Sequence, residues 1–249
     1  MSESNSNREF PLKGGRGSVL VYSTPSWVTA FTTGRDSGVE ALGLRLEDLA
    51  LPRQVHSDNI CWMKEPGRPE QTDAVITDQP GLCVCVKTAD CIPILLYDTR
   101  KRIVAAVHAG WRGTVARIVS KTIKQMQPVS PDDIHAIIGP GISLEWFEVG
   151  DEVYDAFRAE GFPMERIAKT YPHPLPQEKG EGKSFPLGED LGEAWHIDLW
   201  EANRWLLEEQ GISDIFVEGT CTRTSMEFYS ARRETINTGR NYNGIYINS

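Results

Sequence analysis

The sequence predicts an α+β fold, a single layered domain in which a mixed β-sheet is flanked by helices, and three observations carry that prediction. Short apolar runs at residues 82–86, 92–97 and 103–107 are separated by turn residues, as strands buried on both faces are. Apolar positions at Val115, Ile118, Val119, Thr122 and Met126 recur at helical spacing. Strands and helices interleave without strict alternation or internal repeat, so one mixed-sheet domain is expected.

In chain order, residues 1–17 are polar and glycine-rich and are expected to form a disordered tail, with residues 18–249 making one catalytic domain. From Val19 short strands punctuated by Gly, Pro and Asp lead into the three buried runs, which form the centre of the sheet. Cys83 and Cys85 alternate with Leu82, Val84 and Val86 and read as packed strand residues. A helix over residues 113–127 should pack one face on that sheet, followed by a strand at 134–138 and a helix at 151–159. Residues 173–190, HPLPQEKGEGKSFPLGED, have no period and are expected to form a long mobile loop. A helix at 198–210 is marked by Asp198 with Glu201 three residues on, which resembles a capping box, and by Gly211 as a stop. Strands at 215–217 and 242–247 complete the domain.

Composition narrows the function classes. The chain has 249 residues, 40% of them hydrophobic, enough for a substantial core. Its net charge of −9 argues against nucleic acid or an anionic membrane as partner and favours a small molecule. No apolar run approaches the roughly 20 residues of a membrane span, and MSESNSNREF lacks the apolar core of a signal peptide, so a cytoplasmic address is expected. Five cysteines, an odd number, do not make a disulfide framework in such a chain. Oligomeric state is not legible.

Three segments carry the chemistry: QVHSDNI at 54–60, TADCIPILLYD at 88–98 and AAVHAGWRGT at 105–114. Each presents one soft or borderline metal ligand at an element end. Cys91 begins a strand and His108 ends the next, and adjacent strands lie about 5 Å apart, so the two can share an ion, with His56 joining from a separate loop. One Cys with two His is a catalytic type of zinc set that leaves a fourth position open. Spacings of 35 and 17 residues match no compact zinc motif, however, and Cys91 as a thiolate nucleophile activated by His108 stands beside the metal reading.

The motifs QVH, ADC-x-P, HAGWRG, IGP-x-I, FEVG and FYSARR followed by TGR occur in the order found in the YfiH-type, laccase-like family, long labelled multicopper polyphenol oxidases, and the resemblance runs from about Phe31 to the C-terminus. It implies a purine nucleoside phosphorylase with adenosine deaminase activity, acting on adenosine, inosine and methylthioadenosine, with zinc at His56, Cys91 and His108 in a pocket of the mixed sheet. Laccase activity is not expected: a multicopper oxidase needs a His-rich three-copper cluster, and the chain has five histidines, of which His135, His173 and His196 lie outside the ligand motifs. Copper can still compete for a Cys/His set.

Deamination needs a proton carrier, for which Asp90 beside Cys91 is the first candidate and Asp73 in TDAVIT the second. Phosphorolysis needs a phosphate held against the ribose, and arginine forks suit its oxygens; Arg35, Arg112, Arg232 and Arg233 are the candidates. Arg112 follows His108 by four residues at a helix start, whereas Arg35 is displaced by one glycine from the arginine of the family's F-[ST]-T-R pattern. Tyr229 is placed to stack on a purine or bond the ribose. Gly110 and Gly113 permit a tight strand-to-helix turn. Neither a G-x-G-x-x-G fingerprint nor a P-loop is present, so no dinucleotide or ATP is implied. The competing functions are a zinc or cysteine hydrolase acting on a cell-wall precursor, as in peptidoglycan editing, and a purely structural or binding role.

Overall fold

Strands whose side chains are apolar on both faces need a cover on each face, and here the two covers are of different kinds. The computed structural model describes residues 8–11, 18–172 and 193–249. In chain order the strands are Arg8–Pro11 (β1), Ser18–Val21 (β2), Val28–Thr33 (β3), Leu49–Ala50 (β4), Ile60–Trp62 (β5), Ala74–Thr77 (β6), Cys83–Thr88 (β7), Ile92–Asp98 (β8), Ile103–Ala109 (β9), Ile134–Ile138 (β10), Glu148–Val149 (β11), Ala168–Pro172 (β12), Glu193–Ile197 (β13), Ile215–Val217 (β14) and Asn241–Ile247 (β15). The α-helices are Trp111–Val115 (α1), Ile118–Met126 (α2), Asp151–Ala159 (α3), Met164–Ile167 (α4) and Leu199–Glu209 (α5). One six-stranded sheet has the order β1-β2-β3-β15-β7-β4, a second has β14-β10-β8-β9-β6-β5, and a three-stranded sheet has β11-β13-β12. Both large sheets are mixed, with β4 parallel to β7, β5 parallel to β6 and β14 parallel to β10.

Every residue of β8 and β9 is buried. Ile92, Ile94 and Leu96 pack with Ile118, Val119 and Leu206 under the helices, while Leu95, Tyr97, Val104 and Ala106 pack with Ala30, Val84, Val86 and Ile245 of the first sheet. The predicted α+β fold therefore forms, with a second sheet in place of helices on one face of the central strands. The outer face of the first sheet is sealed by Val39, Leu49 and Leu51 on Phe31, Cys83 and Cys85. Both cysteines are buried strand residues, and burial pushes the Cys85 thiol up to about 12.

The predicted helix over residues 113–127 is divided. Arg117, between α1 and α2, takes a left-handed φ of 59°. Its guanidinium pairs with Glu209, bonds the Glu160 carbonyl at 3.0 Å and lies over the rings of Phe162 and Trp205, contacts that offset the roughly 1–2 kcal/mol cost of that backbone. Helix α5 starts and stops as predicted: the Asp198 carboxylate accepts the Glu201 N–H at 2.9 Å, and Gly211 follows the helix with φ 79°. The expected loop at 173–190 lies outside the described residues, as does the expected tail except for β1, which pairs with β2. Among the described residues no helix is long and apolar enough to cross a membrane.

One connection positions the chemistry. Strand β7 belongs to the first sheet and β8 to the second, so residues 89–91 cross from one layer to the other.

Candidate functional site

The crossing is bent at Asp90, whose φ of 90° is unusual for a non-glycine residue. Three bonds hold it there. The Asp90 carboxylate accepts the Thr222 hydroxyl and the Arg232 backbone N–H, both at 2.7 Å, and its carbonyl accepts the Ile142 N–H at 2.9 Å. Cys91, at the end of this bend, meets His108 of the neighbouring strand and His56 of the preceding loop, and their ligand atoms all lie within 4.8 Å of one another. Gly110 makes room for the trio: a Cβ there would stand 3.0 Å from His56 Cδ2 and 3.1 Å from Cys91 Sγ.

Asp73 organises the trio from behind. Its fully buried carboxylate accepts five hydrogen bonds, from the N–H groups of Val55, His56 and Ser57 at 3.2, 3.0 and 2.7 Å, from the Ser57 hydroxyl at 2.7 Å and from His108 Nδ1 at 2.8 Å. Successive N–H groups converging on one anion form a nest, which accounts for the left-handed φ of 62° at His56. Burial pushes the Asp73 carboxyl up, but the bonds from His108 and Ser57 outweigh it and hold its pKa at about 2. With Nδ1–H given to Asp73, His108 keeps Nε2 as the free lone pair for an ion. The Gln54 carboxamide fastens the other end of the loop to β7, donating to the Lys87 carbonyl and accepting the Lys87 N–H, each at 2.8 Å.

The electrostatics suit a metal. Burial would raise the Cys91 thiol, yet His108 beside it, together with hydrogen bonds to His108 and His56, brings it down to about 6. Burial lowers His108 while Cys91 and Asp73 raise it, with a net upward shift. A thiolate and two imidazoles, one braced by a carboxylate, match the donor set and outer shell of a transition-metal site with one position left for solvent or substrate.

A cavity of about 490 Å³ opens on the three ligands, with Gln54, Lys87, Asp90, Phe147, Arg232, Ile236 and Arg240 in its wall. Of the sequence-predicted residues the structure brings together His56, Cys91, His108, Asp90 and Arg232. The Arg232 guanidinium bonds the Glu148 carbonyl at 3.2 and 3.3 Å and lies 5.6 Å from the Phe147 ring. Arg112 stands outside the lining, exposed and stacked 4.2 Å over Trp111, because the short helix α1 turns it to the surface. Arg35 is paired with Glu234 and lies 4.9 Å over the Tyr229 ring, which is itself packed so tightly on Gly239 that a Cβ there would come within 2.3 Å of it. Arg233 staples its own loop through the carbonyls of Thr222, Arg223, Ser225 and Phe228. Sequence reasoning did not assign Lys87, Gln54, Phe147, Ile236 or Arg240; the signals available were the QVH, FEVG and TGR motifs that contain Gln54, Phe147 and Arg240.

Among the described residues His56, Cys91 and His108 form the one group of three with metal-ligand spacing. His135 pairs with Asp214 and stacks on Tyr97, and His196 is buried with Nδ1 against the Leu144 carbonyl, so neither extends the trio into a multi-ion cluster.

The sequence profile described as multi-copper polyphenol oxidoreductase laccase matches residues 29–248. A purine nucleoside phosphorylase of Bacteroides thetaiotaomicron is 41% identical over 217 residues, covering 81% of this chain and 74% of that protein. Adenosine deaminase RL5, from an unknown prokaryotic organism, is 39% identical over 220 residues, covering 82% and 77%. The crystal structure of the Bacillus licheniformis hypothetical protein YfiH superimposes with a TM-score of 0.75 at 27% identity, covering 94% of this chain and 99% of that one.

Proposed function

The chain belongs to the multi-copper polyphenol oxidoreductase laccase family, and from that membership and the site we propose a purine nucleoside enzyme that phosphorolyses adenosine, inosine and methylthioadenosine and deaminates adenosine to inosine. The observation that carries this reading is a centre of three candidate ligands, the one such group among the described residues, facing a cavity whose size lies in the usual range for small-ligand sites. An oxidase that reduces oxygen over several coppers has no counterpart among the described histidines. Zinc, when bound, supplies Lewis acidity that makes water nucleophilic near neutral pH.

The chain's own residues set the geometry. Asp73 fixes the His108 tautomer and the His56 loop, and among the described residues Asp90 is the sole carboxylate in the cavity wall. Each Asp90 oxygen keeps a lone pair beyond its bond to Thr222 or Arg232, so Asp90 is assigned the proton transfer in deamination, in which water adds at C6 and ammonia leaves. In phosphorolysis a phosphate oxygen bonds C1′ of the ribose as the C1′–N9 bond breaks, its electron pair leaving with the purine, which takes up a proton. Residues 18–249 act as one catalytic unit in the cytoplasm, on a free nucleoside and phosphate. Arg35, Tyr229 and Arg233 support the loop that carries Arg232.

The lowered Cys91 thiol favours one second reading, a hydrolase in which Cys91 attacks as a nucleophile without metal. The test is chromatography of zinc-loaded protein with adenosine, with and without phosphate, beside His108→Ala and Cys91→Ala. Adenine that requires phosphate, or inosine without it, absent in both variants, is expected. No product from the wild type would overturn the nucleoside reading.

A further inference from the structure

Among the described residues three cations, Lys87, Arg232 and Arg240, stand in the cavity wall against one carboxylate, Asp90, in a chain whose net charge is −9. Asp90 balances at most one of the three, and its oxygens are directed to the Thr222 hydroxyl and the Arg232 backbone N–H, so two positive charges stay uncompensated by the wall. Among the described residues no ion pair joins Lys87 or Arg240 to a carboxylate. Arg240 is instead held rigidly by carbonyls, those of Thr238, of Gly239 at 3.0 Å and of Ile236 at 2.7 Å. The β7–β15 register pairs Lys87 with Tyr242 and Thr88 with Asn241, which sets Lys87 and Arg240 as diagonal neighbours on one face of the sheet. Like charges so placed repel, and burial together with Arg68 and Arg240 pushes the Lys87 ammonium down. A multiply charged oxyanion removes that repulsion, and a guanidinium beside an ammonium matches its oxygens. The Gln54 clamp on both backbone groups of Lys87 lies two residues before His56, so it holds this cation and the metal-ligand loop in one fixed relation.

We propose that Lys87 and Arg240 bind the inorganic phosphate used in phosphorolysis, and that Gln54 is a positioning residue for Lys87. The assignment rests on the nucleoside reading for its reaction, but its binding test does not. Calorimetric titration of inorganic phosphate into zinc-loaded full-length protein should show saturable binding that weakens at least tenfold in Lys87→Met and in Arg240→Met and recovers largely in Lys87→Arg. With inosine as substrate, the KM for phosphate should rise by a similar factor and more than the KM for inosine, and Gln54→Ala should show the same split while retaining its zinc. Should Arg240→Met fail to fold, Lys87→Met and Lys87→Arg carry the test alone. Phosphate binding in Lys87→Met within twofold of wild type, or no binding by the wild type, overturns the assignment. Phosphate binding lost in the variants, from a wild type that releases no purine, overturns the nucleoside reading and leaves the anion site standing.

Discussion

Replacing Asp73 by Asn keeps the shape of the side chain and removes its charge, so it isolates what the carboxylate does. Oδ1 accepts from His56 N–H and His108 Nδ1, and Oδ2 from Val55 N–H and from both the N–H and hydroxyl of Ser57. In the Oδ1 place the Asn NH2 meets two of these donors; in the Oδ2 place it meets three, of which the Ser57 hydroxyl can turn and accept from it, so either way at least two groups lose their acceptor. At about 1–3 kcal/mol for each unsatisfied buried donor, the metal-free protein should lose about 2–6 kcal/mol, read by urea unfolding. Partners that orient a metal-binding histidine contribute about 10–100-fold to affinity, so zinc binding should weaken by that factor in competition with a chromophoric chelator. A folded Asn variant that binds zinc within threefold of wild type would refute the brace. The same carboxylate gives a pH signature. Its folded pKa of about 2 lies below the ordinary 3.8, so its contribution is complete above about pH 4 and is lost as pH falls toward 2. At about 1.36 kcal/mol per unit that is about 2.5 kcal/mol, and the Asn variant should lose correspondingly less over this window.

Three further expectations concern neighbouring groups. Gly110→Ala is compatible with the backbone, at φ −71°, but sets a methyl 3.0 and 3.1 Å from two ligands; elemental analysis should find well under one zinc per chain at unchanged far-UV circular dichroism, and a full equivalent would count against the packing argument. In metal-free protein the rate of Cys91 alkylation should rise with a midpoint well below the ordinary thiol value of 9.0, because the thiolate predominates above its lowered pKa, and zinc should suppress it; a midpoint at 9.0 would exclude a stabilised thiolate. Arg233→Met should lower stability by about 3 kcal/mol in urea through the carbonyls it leaves unpartnered, while its KM for phosphate moves less than that of Lys87→Met; the opposite ordering would make Arg233 a phosphate ligand.

The three residues were legible as a set through motifs that resemble those of a known family; the residues alone put Cys91 and His108 at the ends of neighbouring strands, left His56 to a separate loop, and did not decide between a metal and a cysteine nucleophile. Asp73 was visible only as one acid in TDAVIT. Its role depends on a nest closing around it from a loop 16 to 18 residues away, and nothing in the local pattern encodes that closure. Arg112 stands four residues after His108, as a phosphate ligand at a helix start would, but α1 buries Gly113 and Thr114 and leaves Arg112 on its exposed side, which spacing alone does not reveal. Arg232 and Arg233 are adjacent and identical in type, yet one faces the cavity and the other staples carbonyls, a difference set by how residues 222–233 fold back on themselves. The break at Arg117 escaped the helical period because a left-handed arginine is held by tertiary contacts rather than marked by glycine. Periodicity likewise gave two buried faces for β8 and β9 without saying that one cover would be another sheet.

Because residues 89–91 step between the two sheets and the His56 loop is tied to β7 through Gln54 and to β6 through Asp73, no single layer owns the site. Cys91 and His108 meet by strand pairing within the second sheet, but His56 is held against them by a loop anchored to both layers, so the full trio needs the layers together. An ion that binds the closed form alone therefore acts as a rivet: it draws the layers together by RT ln(1 + [ion]/Kd), about 4 kcal/mol at a thousandfold excess over Kd, and makes the supply of metal a determinant of how much folded protein there is.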